Sequence, residues 1–557
     1  MENNHILILI VLAVVCAIIA YLNSIKSAKE RLHNRLIKSY GKKANKKISV
    51  DELEQISHFY KNSRAKYYID DITWNDLDMD RVYKAINNTN SSIGQEYLYK
   101  MLREPINDEA RLKETDNLAD SFDGDENGRI KCQKIFAFIG YAKHMAVSDY
   151  VSMVVDLMPK SNVINYLSPV FLIVSLVIML FVNSAVGILL VIAAMAFSVI
   201  TYYRFKADVE KYFVCIGQIV KMIKAAKDIR KLNLSYLADI NEKLSSLSKE
   251  FDKVYKNAGM LENGNVTGSL SEILLDYLRM LTHIDLIKFN NMVKLLNNKE
   301  KEIYELMNTL GYIESCIAIA SFRKSLDYYS KPEFVVGKKG MEIIDVYHPL
   351  IENAVSNSLT EDNNILLTGS NASGKSTFLK TVAINAILSQ TIFTSVSKKY
   401  KAPKFRIFSS MALRDDLEGN DSYYIVEIKS IKRIFDAMDE SDLPVLIFID
   451  EILKGTNTVE RVAASTEILK NLSLMNAFIF AATHDVELTT LLEGEYKNYH
   501  FQENVTNDQV LFDYKLLDGA ASTRNAIKLL KVLGFKDEIV ENSNNRARAF
   551  LNSGLWS

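Results

Sequence analysis

The chain is poor in cysteine: it has only Cys16, Cys132, Cys215 and Cys316, with no C-x-x-C spacing among them. No histidines cluster beside them, so a metal centre is not expected, and reduced thiols on the cytosolic side are the plain reading. It also lacks an excess of charge of one sign. Lys and Arg number 67 against 68 Asp and Glu, a net charge of −1, so nucleic-acid binding would need a local basic patch. The N-terminus has no basic stretch ahead of its first apolar run, and no small-residue cleavage site follows that run, which argues against a signal peptide. A chain of 557 residues has room for about three or four domains.

Three uncharged apolar segments are present, at 6–22, 167–182 and 185–203, the last two separated by Asn183-Ser184. Each approaches the roughly 17–25 residues that cross a bilayer as a helix; buried core helices are the alternative. Lys26, Lys29, Arg31, Arg35, Lys38, Lys42, Lys43, Lys46 and Lys47 follow the first segment, and Arg204, Lys206 and Lys211 follow the third. Positive-inside logic puts both of these sides in the cytoplasm. The expectation is a multi-pass protein of the cell membrane with three spans, the last two a tight hairpin.

The chemistry-bearing motif is Gly369-Ser370-Asn371-Ala372-Ser373-Gly374-Lys375-Ser376-Thr377, which fits G-x-x-x-x-G-K-[ST]. It stands between an apolar run that reads as a strand and a stretch that reads as a helix, the context this loop needs. Glycines let backbone N–H groups converge on phosphate oxygens at a helix N-terminus. Lys375 is placed to reach the β and γ phosphates of ATP, and the Ser376 hydroxyl to ligate Mg²⁺. Residues 444–449 are apolar throughout and lead into Asp450-Glu451, as a strand buried on both faces would. Asp450 suits a Mg²⁺ contact, and Glu451 could polarise the attacking water. A third buried run, 478–482, ends in Thr483-His484-Asp485, where His484 could sense the γ-phosphate.

Beyond these motifs the chain resembles the MutS family of ABC-type ATPases. Asp450-Glu-Ile-Leu-Lys-Gly-Thr-Asn-Thr458 is similar to the run D-E-I-G-R-G-T-S-T, and Asn371 stands at the Asn of G-P-N. Asp421-Ser422-Tyr-Tyr-Ile-Val-Glu427-Ile resembles S-x-F-x-V-E-M, and Asp518-Gly-Ala-Ala-Ser-Thr-Arg resembles G-x-A-x-x-S/T. Upstream, stretches from Ile69, Ile86 and Glu314 look like parts of the MutS helical core. The resemblance implies a head-to-tail homodimer through the ATPase domains, with Ser422 completing the partner's site, and action on double-stranded or branched DNA. No aromatic-x-Glu mismatch wedge is recognisable near the N-terminus. Phe501-Gln-Glu503 has that spelling but reads as part of a strand in the ATPase region. The absence of L-S-G-G-Q argues against a transporter subunit.

The expected fold is multidomain, α plus α/β. Its parts are an N-terminal transmembrane helix (1–23), a basic juxtamembrane segment (24–66) and a helical core (67–160). A transmembrane hairpin (161–204), helical levers (205–331) and a P-loop α/β ATPase domain on the cytoplasmic side (332–557) follow. Two functions compete: a membrane-anchored MutS-like ATPase coupled to DNA, and an ATP-driven motor that remodels a membrane complex.

Overall fold

The computed structural model describes residues 2–142, 145–155, 157–258, 270–337, 339–370, 373–411, 423–439, 442–505, 510–521, 527, 530 and 534–553. The chain divides into two units: residues 1–63, 87–100 and 117–321 form one, and residues 64–86, 101–116 and 322–557 the other.

The first unit is helical. Two of its helices, Val163–Phe181 and Ser184–Lys231, are long and apolar enough to cross a membrane, and 17% of each apolar window is buried. Leu180, Phe181, Leu189 and Ile200 stand largely exposed. The two helices pack closely at Gly187, where a Cβ would come within 2.1 Å of the Met179 Cα. Asn183 caps the second helix through the Val186 N–H at 3.1 Å. The first expected span, 6–22, falls within the helix Glu2–Ser39; most of its side chains lie outside the described residues.

Ser184–Lys231 is a single 48-residue helix, about 72 Å long at 1.5 Å per residue. Its character changes along its length. The apolar half is mostly exposed, whereas Ile216, Ile219, Ile223, Ala226 and Ile229 are buried in the helical core. A buried polar cluster fixes the hairpin to that core. His283, left-handed at φ 52°, separates the helices Leu270–Thr282 and Ile284–Leu296. Its Nδ1 lies 3.1 Å from Asn165 Oδ1 and its Nε2 3.0 Å from the Ser198 carbonyl. The Tyr202 hydroxyl donates to Asp285 at 2.8 Å.

Elsewhere in this unit the buried Glu96 carboxylate accepts the Val147 and Ser148 N–H groups at 2.6 and 3.2 Å, capping the helix Val147–Val155. Burial pushes its pKa up from 4.5 to about 8. A carboxyl raised in the folded state contributes stability that is complete below pH 4.5 and is lost as pH rises through about 8. The thermal midpoint of the wild-type chain should therefore fall between pH 5 and 8, and Glu96→Gln should flatten that slope. Equal slopes in a pH series of melting curves would refute this role.

The second unit is α/β. Its strands are β1 (Glu333–Phe334), β2 (Met341–Val346), β3 (Asn357–Glu361), β4 (Asn364–Thr368), β5 (Lys399–Ala402), β6 (Arg406–Ser410), β7 (Val445–Asp450), β8 (Ala477–Ala482), β9 (Tyr496–Val505) and β10 (Val510–Asp518). Four form a sheet in the order β1-β5-β2-β3, and six form the main sheet in the order β10-β9-β4-β8-β7-β6. Strands β9, β4, β8, β7 and β6 run parallel, with β10 antiparallel at the edge. β7 and β8 are buried at nearly every position, as a parallel sheet covered by helices requires. One face packs Leu366, Ile447 and Ile479 against Leu469 and Leu472 of the helix Thr458–Leu474.

Residues 64–86 and 101–116 belong to this unit and brace it. Asp76 accepts the Ser409 hydroxyl at 2.7 Å and the Met411 N–H at 2.9 Å, which pins the exit of β6. Arg323 and Lys331 both pair with Asp116, at 2.8 and 2.7 Å.

Candidate functional site

Parallel strands place their C-terminal ends together, and in such sheets ligands bind in the crevice outside those ends. Thr368 is in register with His500, and Asp450 with Ala482. The loops after β4, β7 and β8, together with the middle of β9, therefore converge on one edge. The loop after β4 leads into the helix Lys375–Ile392. Gly369 is held at φ 143°, and a Cβ there would meet the Phe501 carbonyl at 2.6 Å, so the close approach of β9 requires glycine.

A cavity of about 540 Å³ opens at this edge. Ser370, Ser373, Gly374, Lys375, Ser376 and Thr377 line one end, with Glu451 and His484. Lys375 is buried, and its Nζ donates to the carbonyls of Gly369 and Ser370 at 2.8 and 2.9 Å. Burial lowers its pKa, against the upward pull of Asp450, Glu451 and Glu503. Ser376 and Thr377 are exposed to the cavity, and Asp450 ends β7. Asn371, Ala372 and Ser422 lie outside the described residues.

Glu451 follows β7 in the left-handed region at φ 62°, and its N–H donates to the Ala482 carbonyl at 2.9 Å. This fixes the backbone, and the carboxylate reaches two side chains. His484 Nε2 lies 3.0 Å from Oε1, and Lys454 Nζ lies 3.0 Å from Oε2. The His484 hydrogen bond, followed by Lys454, holds the carboxyl down at about 2 despite partial burial. His484 is also 3.5 Å from Lys375 Nζ. The loop carrying it is held from behind, where Arg461 donates to both oxygens of Asp485, at 2.8 and 2.6 Å. Glu427 is buried and accepts the Lys454 N–H at 3.1 Å, which ties the helix Tyr423–Asp439 to the turn after Glu451.

Two features go beyond the sequence motifs. Phe501 lines the cavity and packs on Phe378 with ring centroids 5.7 Å apart. Glu503, on the same strand face, accepts the Ser370 hydroxyl at 2.7 Å; it is 3% exposed, and its second oxygen has no hydrogen-bond partner among the described residues. In the sequence Phe501-Gln-Glu503 reads only as part of a strand; the pairing of β9 with β4 is what puts it against the P-loop. The cavity is also lined by His348, Ile351, Val355 and Tyr514, and the Tyr514 ring lies against Gly374, 3.1 Å from where a Cβ would stand. Tyr514 sits at φ 53° in a β10 irregularity, and its carbonyl accepts the Asn357 side chain at 3.0 Å.

Residues 365–551 match the family model for MutS domain V. The chain is similar to the DNA mismatch repair protein MutS of Thermotoga petrophila, 27% identical over 341 residues, which cover 58% of this chain and 42% of the relative. It is 30% identical over 257 residues to the DNA mismatch repair protein MutS of Natronomonas pharaonis, covering 44% and 29%. To MutS protein homolog 4 of Mus musculus it is 34% identical over 242 residues, covering 40% and 24%. The chain thus spans less than half the length of each of these relatives.

Proposed function

We propose that this chain, a member of the MutS family, is a membrane-anchored ATPase whose P-loop site drives movement of its helical unit. The observation that carries the proposal is the meeting of Lys375, His484 and Glu451 around one cavity. The triphosphate lies along the P-loop with Lys375 turned from the Gly369 and Ser370 carbonyls onto its β and γ oxygens. The adenine lies among His348, Ile351 and Val355, which line the same cavity. Ser376, exposed at the P-loop, and Asp450, whose charge acts on Lys375, would hold a Mg²⁺ ion. Such an ion supplies charge neutralisation at the phosphates.

A carboxylate at about 2 is a weak proton acceptor. The γ-phosphate draws His484 away from Glu451, which raises the basicity of the carboxylate at the moment a water is aligned. That water attacks the γ-phosphorus, Glu451 takes its proton, and ADP and inorganic phosphate leave. Ser422 of a second copy completes the site in a head-to-tail homodimer. The test is ATP hydrolysis by the purified full chain: Lys375→Ala should lose both binding and turnover, and turnover at the wild-type rate would overturn the site.

Glu503 adds a negative charge beside the phosphate end. Glu503→Gln keeps a hydrogen-bonding group for Ser370 and removes that charge. It should tighten nucleotide binding roughly fivefold, about 1 kcal/mol of relieved repulsion. Fluorescent-nucleotide titration measures this; unchanged or weaker binding would make Glu503 purely structural.

The hairpin Val163–Phe181 and Ser184–Lys231 anchors the chain in the cell membrane, with 6–22 as a third span and the ATPase on the cytoplasmic side. The family supports DNA, duplex or branched, as what the motor acts on. A second reading, remodelling of a membrane complex without DNA, is favoured by one feature: the long helix runs unbroken from the apolar hairpin into the core.

A further inference from the structure

A second cavity, of about 400 Å³, lies in the helical unit between the helices Glu2–Ser39 and Glu126–Ile139. The first helix contributes Leu22, Ile25, Lys26, Lys29, Glu30 and His33, and the second contributes Lys134. The spacing of the first six is that of one helix face, and their character changes along it. Leu22 and Ile25 come first, where the apolar segment 6–22 ends; the cations follow. From Leu22 to His33 the axis advances about 16 Å. Among the described residues, Lys26, Lys29 and Lys134 have no ion-pair partner, and the His33 Nδ1 is buried without a hydrogen bond. Three lysines thus face one cavity with Glu30 as its only acid.

We propose that this cavity binds the headgroup of an anionic phospholipid. The phosphate sits among Lys26, Lys29 and Lys134, and the acyl chains leave past Ile25 and Leu22 toward the apolar segment. The gradient from apolar to cationic matches a ligand with an apolar end and an anionic end, which a free phosphate lacks. The site rests on the membrane reading above, because the apolar segment is what brings lipid to its mouth. A diffuse attraction of basic residues to a charged leaflet would depend little on Lys134, which lies over 100 residues away from the first-segment lysines. A built site depends on it directly.

The test is titration of the full chain in non-ionic detergent with a short-chain phosphatidylglycerol, the matching phosphatidylcholine, and inorganic phosphate. Reductive methylation of Lys26, Lys29 and Lys134, read by peptide mass spectrometry, reports occupancy. The phosphatidylglycerol should protect all three lysines, the other two probes should not, and Lys134→Gln should weaken protection of the remaining pair about fivefold. Equal protection by phosphatidylcholine, equal protection by free phosphate, or no effect of Lys134→Gln overturns the proposal. Flotation with neutral vesicles separates this from the membrane reading. A chain that does not float yet shows the phosphatidylglycerol protection refutes anchoring and leaves the site; one that floats without it refutes the site.

Discussion

Glu451→Gln should reduce ATP turnover by about 10²–10⁴-fold while leaving the nucleotide bound. The substitution keeps the size of the side chain and a hydrogen-bond acceptor for Lys454, so the turn after β7, fixed by the Glu451 N–H to Ala482, has no reason to move. What it removes is the only carboxylate in contact with His484 among the described residues. The variant should therefore accumulate as an ATP-bound dimer, visible as a larger species in size-exclusion chromatography with ATP and absent with ADP. The pH dependence follows from the same contacts. His484 and Lys454 hold this carboxyl at about 2, so it stays ionised from pH 8 down to pH 5. A fall in kcat/KM over that range, which reports the nucleotide-free enzyme, must then come from another group. Hydrolysis by Glu451→Gln at the wild-type rate in a single-turnover assay would show that the base has been misassigned.

Lysines placed in the middle of the hairpin should have an effect of similar size. Ile173 and Ile192 are 59% and 60% exposed and lie near the centres of the two apolar helices. In water, replacing an exposed apolar side chain changes stability by no more than about 0.5 kcal/mol. In a bilayer centre each lysine costs about 2.5–3.5 kcal/mol. Ile173→Lys with Ile192→Lys should thus lose about 5–7 kcal/mol of insertion energy and leave the membrane fraction in flotation or carbonate extraction. If the double variant behaves as wild type in the membrane, the hairpin does not cross it. If the wild type is already soluble without detergent, the exposed apolar surface of Leu180, Phe181 and Leu189 serves another partner.

The parts of the site that are local in sequence were legible there. The P-loop, the acid pair ending β7 and the histidine after β8 each carry a strand-then-polar signature that a covered parallel sheet imposes, and the order of these motifs pointed to one crevice. Glu503 was not legible. Its role depends on β9 lying parallel beside β4, a pairing between residues more than 100 positions apart that no local pattern encodes. The same holds for Asp76, which receives the Ser409 hydroxyl from the end of β6, 333 positions away. The apolar hairpin was evident from composition, but two things were not. One was the continuity of its second helix for 48 residues, because the change from exposed to buried faces hides a single helix under two different patterns. The other was the anchoring of the hairpin by His283, which needs three separated segments together.

The most direct test of a membrane-held MutS-type motor is the ATPase rate of the full chain in nanodiscs, measured with and without homoduplex, mismatched and branched DNA across a salt series. The account predicts hydrolysis that vanishes in Lys375→Ala and rises with irregular or branched DNA, the rise fading as salt increases. Hydrolysis that ignores every DNA, with no DNA binding even at low salt, would contradict it and leave a membrane-remodelling ATPase in its place.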